Sequence, residues 1–251
     1  MMKRCNALVI CIIIVMMSVP LEVTAQFKSD STHYFRWQQI IAPAAMIGIG
    51  TIPLYCSKAN NLDTKLQQSM AGSRQAHIDD YMQYAPIVTV YGLNLAGIKG
   101  QHNFCDRTIL LATSYMIMGI SVNVLKTSVG RLRPNGLSHT SFPSGHTATA
   151  FMGAEFLYLE YRDTAPWIGY LGYAVATGVA LLRVYNNAHY LSDVLAGAGI
   201  GILSTRIAYW VYPPLQRLLF GHKDNHTYAL AAAPYYDPEY SAIFMGCSMW
   251  F

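Results

Sequence analysis

The chain has 251 residues, enough for one domain with a sizeable core, and no break in composition marks a second. Charged residues make up 12% of it, about half the share in ordinary soluble domains, as expected of a chain partly buried in lipid. The net charge of +4 comes from basic residues scattered singly, which excludes the clustered footprint of a nucleic-acid binder.

Residues 1–25 read as a secretory signal. Lys3 and Arg4 form a charged start, Ala7 to Val19 an apolar stretch that Pro20 ends, and Val23-Thr24-Ala25 supplies small residues for cleavage before Gln26. An uncleaved membrane anchor is the alternative, although the stretch is shorter than the ~20 apolar residues a span needs.

Six apolar segments follow, at Ile40–Cys56, Tyr84–Ile98, Thr108–Leu125, Thr147–Leu159, Pro166–Leu182 and Val194–Tyr212, and they predict a six-helix, all-α domain over residues 26–220. Pro43 and Pro53 interrupt the first, Glu155 lies in the fourth and Arg206 in the last. These are marginal as spans unless the polar groups face protein, so a tilted or soluble packing of some helices stays open. The run Ala196-Gly197-Ala198-Gly199-Ile200-Gly201 predicts close approach of helix backbones. In the tail, residues 221–251, the segments Tyr228–Tyr236 and Tyr240–Phe251 flank Asp237 and Pro238 and suggest a small β-hairpin. Cys5 and Cys11 fall in or beside the N-terminal apolar segment. Cys56, Cys105 and Cys247 have neither CxxC nor Cys/His spacing, so neither a zinc site nor a disulfide framework is expected.

Three clusters carry chemistry. Lys126 is followed after six residues by Arg133-Pro134; then come Pro143-Ser144-Gly145-His146; last, Arg183, His189 and Asp193. Phosphoryl transfer needs cations around the equatorial oxygens, a nucleophile in line with the leaving group, and a proton for that group. Lys126, Arg133 and Arg183 can neutralise a phosphate. Ser144 and the backbone N–H groups of Gly145 and His146, at a helix start, add neutral donors. His189 and Asp193 are four apart, so on one helical turn the carboxylate would hold the imidazole N–H and free the other nitrogen. His139, between the first two clusters, reads as a solvated loop residue. The alternation of helices places all three clusters on one membrane face.

The clusters resemble the signature KxxxxxxRP, PSGH and SRxxxxxHxxxD of the superfamily that joins type 2 phosphatidic acid phosphatases, bacterial class A acid phosphatases and vanadium haloperoxidases. Every signature position matches except Leu182, where the family usually has Ser. The resemblance runs from Lys126 to Asp193 and implies a membrane-embedded helical bundle, with residues 26–220 as a phosphatase domain. It makes His189 the phosphohistidine nucleophile, His146 the acid for the leaving oxygen and Asp193 the orienter of His189. Lys126, Arg133, Ser144, Gly145 and Arg183 would hold the phosphate, with neither metal nor cofactor.

The expected substrate is a lipid phosphate or diphosphate, such as phosphatidate, phosphatidylglycerophosphate, undecaprenyl diphosphate or the phosphates of lipid A. A soluble periplasmic acid phosphatase and a vanadate-dependent haloperoxidase are the alternatives. A multi-pass protein of a bacterial envelope with its site toward the periplasm is expected. Three full crossings after a cleaved signal would instead put the site in the cytoplasm.

Overall fold

The computed structural model describes residues 37–72, 77–220, 229–237 and 242–250, so the predicted signal over residues 1–25 lies outside the described residues. Helix α1 (Gln38–Tyr55) ends at Cys56, whose extended backbone turns the chain by 104° into α2 (Ser57–Met70). A single turn, α3 (Asp79–Met82), precedes α4 (Ala85–Leu95). Then come α5 (Phe104–Val129), α6 (Gly145–Tyr161), α7 (Pro166–Tyr185) and α8 (Leu191–Phe220).

Each of the six predicted segments forms a helix, yet the described residues contain eight. The two extra ones, α2 and α3, have little apolar sequence to announce them. The inward face of α2 is Asp63, Leu66 and Gln67, two of them polar, and the buried residue of α3 is Asp79.

Helix α6 is the centre of the bundle, with 13 of its 17 residues buried, so its two carboxylates must be paired. Glu155 accepts from Arg206 Nε at 2.8 Å and from the Tyr173 hydroxyl. Glu160 accepts from Arg107 Nε at 3.1 Å and from Tyr209 at 2.7 Å, with His102 Nδ1 also at 2.7 Å. The Gly/Ala run of α8 lies against α6. A Cβ on Gly197 would stand 2.5 Å from the Ser144 carbonyl, and one on Gly201 would overlap that of Ala148. Only glycine permits backbones that close.

Among the described residues three helices are long and apolar enough to cross a membrane: α5, α7 and Leu191–Gln216 of α8; the bent pair α1–α2 makes a fourth if it counts as one span. Only 22% of the apolar 18-residue window of α5 is buried within the protein, so its exposed stripe of Met116, Ile120 and Val124 is left for lipid. In the separate C-terminal unit, β1 (Ala229–Asp237) pairs antiparallel with β2 (Ala242–Trp250), Ala229 opposite Trp250 and Asp237 opposite Ala242.

Candidate active site

The signature residues sit at four helix ends that converge. Gly130, at φ 59, closes α5 in the left-handed conformation glycine favours, one turn after Lys126. The chain then loops through Arg131, Arg133 and Ser141 to Ser144, which precedes α6. Arg183 lies in the last turn of α7, and Asn187 turns the chain with φ 58, a value Asn tolerates better than most residues. His189 follows, immediately before α8.

His189 is buried, and its Nδ1 lies 2.7 Å from the carbonyl oxygen of Ser141. A carbonyl can only accept, so Nδ1 carries the proton and Nε2 presents a lone pair. Burial, followed by the positive charges of Arg183 and Lys126, pushes the His189 pKa down to about 4 against the opposing pull of Asp193. The ring is therefore neutral over the physiological range.

The expected direct hydrogen bond from His189 to Asp193 is replaced by a longer contact: Nδ1 and Oδ2 are 3.7 Å apart. The reason is local. His189 lies outside the helix, and Asp193 reaches back from the first turn of α8 to accept the backbone N–H of Tyr190 at 3.0 Å, as in half of a capping box. Its Oδ2 also accepts from the Ser141 hydroxyl at 2.5 Å and its Oδ1 from Arg131 Nη1 at 2.7 Å.

The cations gather beside this histidine. Arg183 Nη1 donates to Asp79 Oδ2 at 2.6 Å, and Lys126 Nζ to the Thr140 carbonyl at 2.7 Å. The stem of Lys126 passes 3.9 Å from the point where Gly145 would carry a Cβ. Nε of Arg133 and Nε of Arg183 are buried without an acceptor, and the two guanidinium groups are close enough that Arg183 lowers the pKa of Arg133, after burial. Ser144 is fully buried. Its hydroxyl pairs with Thr147 Oγ1 at 3.0 Å, and its N–H is taken by the Asp193 carbonyl at 3.0 Å.

His146, half-buried in the first turn of α6, has Nε2 2.9 Å from Asp80 Oδ1. Burial and then Arg183 lower its pKa, while Asp80 raises it. Asp80 thus offsets part of the cost of charging this ring. His139 is exposed, and its Nδ1 lies 3.2 Å from the Gly130 carbonyl within its own loop.

Sequence reasoning did not find Asp63, Asp79, Asp80, Arg131 and Ser141. The signal that could have found them is charge balance, because buried guanidinium groups need carboxylates from somewhere. Leu182 is half-buried in the last turn of α7, where the signature has Ser. Leu182→Ser is expected to raise kcat/KM up to several-fold or leave it unchanged, since a hydroxyl there adds one donor. A fall of tenfold or more, on the order of 1.4 kcal/mol, would show that the leucine supports packing instead.

Residues 107–217 match the sequence family described as the PAP2 superfamily. This chain carries a PAP2 superfamily domain. Together with the three long apolar helices, that makes it a membrane protein. It is 37% identical over 174 residues to a lipid A 1-phosphatase of Porphyromonas gingivalis, an alignment covering 68% of this chain and 38% of that protein. Over 188 residues it is 28% identical to a Schizosaccharomyces pombe protein named "Probable diacylglycerol pyrophosphate phosphatase 1", covering 57% of this chain and 63% of the relative. The chain thus spans between about two fifths and two thirds of the length of these relatives. Among solved structures, the first transmembrane PAP2-type phosphatidylglycerolphosphate phosphatase from Bacillus subtilis shares the fold. Its TM-score is 0.50 at 22% identity, with 70% of this chain and 98% of that one covered.

Proposed function

We propose that this protein is a metal-independent phosphatase acting on a lipid phosphate or diphosphate through a phosphohistidine intermediate on His189. The observation that carries the reading is the pairing of a free His189 Nε2 lone pair with orphaned guanidinium donors on Arg133 and Arg183. A buried cationic N–H without an acceptor is costly, and phosphoryl oxygens supply the acceptors it lacks.

In the first half-reaction, Nε2 attacks phosphorus and the bond to the leaving oxygen breaks while His146 delivers a proton to that oxygen. Arg133, Arg183 and Lys126 balance the charge on the equatorial oxygens, and the first-turn N–H groups of Gly145 and His146 add neutral donors. In the second, water attacks the phosphohistidine, His146 takes its proton, and the P–N bond breaks to restore the lone pair.

The lipid assignment is supported by the outward apolar stripe of α5 and by the lipid phosphatases among the relatives. Candidate substrates are phosphatidate, phosphatidylglycerophosphate, undecaprenyl diphosphate and lipid A phosphates. The periplasmic face of a bacterial envelope is the proposed setting, supported by the secretory character of the first 25 residues. A cysteine introduced beside exposed His139 should react with an impermeant reagent added outside spheroplasts, and protection there would place the site on the other face.

Purified enzyme should release orthophosphate from at least one of these lipids, keep its rate in excess EDTA, and be inhibited by vanadate as a transition-state mimic. Among the described residues no group of three or more His, Cys, Asp or Glu could hold a metal ion. Loss of activity in EDTA, restored by a divalent cation, would contradict the proposal, as would inactivity on every lipid alongside hydrolysis of soluble esters.

A further inference from the structure

A polar network runs from α2 through Arg131 and Asp193 to the His189 ring. Arg131 sits at its middle with both terminal nitrogens in use. Nη1 donates to Asp193 Oδ1 and to Ser192 Oγ, each at 2.7 Å. Nη2 donates to Asp63 Oδ2 and to Asn60 Oδ1, each at 2.9 Å. Its guanidinium carbon lies 3.9 Å above the centre of the Tyr190 ring. Asp63, itself buried, also accepts the backbone N–H of Ser192 at 3.2 Å and the Ser192 hydroxyl. Arg131 therefore ties a polar helix far back in the chain to the first turn of α8.

We propose that Arg131, braced by Asp63 and Asn60, is a positioning residue for the reaction: it fixes and neutralises Asp193, which anchors Ser141, whose carbonyl holds His189 with Nε2 free. The proposal rests on the reading of His189 as nucleophile. Its influence passes through two hydrogen bonds onto Asp193, from Arg131 and from the Ser141 hydroxyl, and the Ser141 carbonyl completes the path to His189 Nδ1.

Two effects can be separated. The first is geometric: a planar fork holds two carboxylates on separate nitrogens at a fixed spacing, which the compact ammonium of lysine does not reproduce. The second is electrostatic. Asp193 on α8 favours the protonated His189 ring; Arg183 from α7, Lys126 from α5 and burial disfavour it. A guanidinium bonded to Asp193 offsets the one carboxylate that would otherwise charge the nucleophile. A protonated nucleophile has no lone pair to give, so the offset matters most in mild acid.

The test is to follow the titration of the His189 ring by NMR in detergent-solubilised full-length protein with labelled histidine, the signal being assigned by its absence in His189→Gln. This readout does not depend on turnover, so it stays informative even if His189 is not the nucleophile, a point decided separately by trapping phosphoenzyme. Arg131→Met should move the ring's titration up by about one unit or more, while Arg131→Lys, which keeps the charge, should leave it within a few tenths. The lysine variant should still lose roughly tenfold or more in kcat with little change in KM, because charge without the fork leaves Asp193 unanchored.

Unfolding of Arg131→Met is controlled by its thermal transition and by Ser141→Ala, which cuts the second of the two bonds and should lower kcat in the same way. A His189 titration unchanged in folded Arg131→Met would overturn the proposal. So would equal upward shifts in the lysine and methionine variants.

Discussion

Replacing His189 with alanine is expected to abolish turnover on every substrate and to leave no phosphoenzyme, a loss of roughly 10⁵-fold or more. The charged groups that act on the ring are Arg183 and Lys126, which are cations, and Asp193, whose oxygens are held by Arg131 and Ser141, so none of them replaces its lone pair. Rapid acid quench after mixing with radiolabelled substrate distinguishes the nucleophile from a bystander: label bound to protein in the parent and absent in the variant is the expected pattern. Protein-bound label persisting in His189→Ala would move the nucleophile elsewhere.

The second large effect concerns the leaving group. His146→Ala should cost about 10²–10⁴-fold on alkyl phosphates, whose oxygens need a proton as the bond breaks, and less than about tenfold on nitrophenyl phosphate, whose oxygen leaves unaided. The quantity measured is the ratio of kcat/KM on the two substrates, in the variant and in the parent. Equal losses on both would mean that His146 binds phosphate and does not donate a proton. Asp80 bears on the same ratio, since the carboxylate 2.9 Å from Nε2 favours the charged ring that burial and Arg183 oppose.

Much of this site could be read before any coordinates. Lys126, Arg133, His146, Arg183 and His189 were legible because their spacing placed each at the end of an apolar segment, and each of those segments is a helix. The same reasoning failed for the link between His189 and Asp193. Four-residue spacing implies a shared helical face only when both residues are in the helix, and here the helix begins at Leu191. Asp193 turned toward the helix start, and the carbonyl of Ser141 took the role assigned to the carboxylate.

Helix α2 was missed for a related reason. Hydrophobic periodicity reports burial only when the buried face is apolar, whereas α2 buries Asp63 and Gln67 because each has a partner. Asp63 meets Arg131, and the Gln67 amide donates to Asn187. Asp79 was equally silent, its meaning set by Arg183 more than a hundred residues later.

Apart from Asp193, the counter-charges of the site therefore come from a different stretch of chain than its signature. Residues 107–217 contain every signature side chain, while Asp63, Asp79 and Asp80 all precede them. A transplant of 107–217 onto another helical scaffold would carry the nucleophile, the acid and all three phosphate cations, yet leave Arg183 without Asp79 and Asp80, and Arg131 with Asp193 but without Asp63. The heritable unit of this site is longer than its recognisable motif, and a minimal chimera should begin no later than α2.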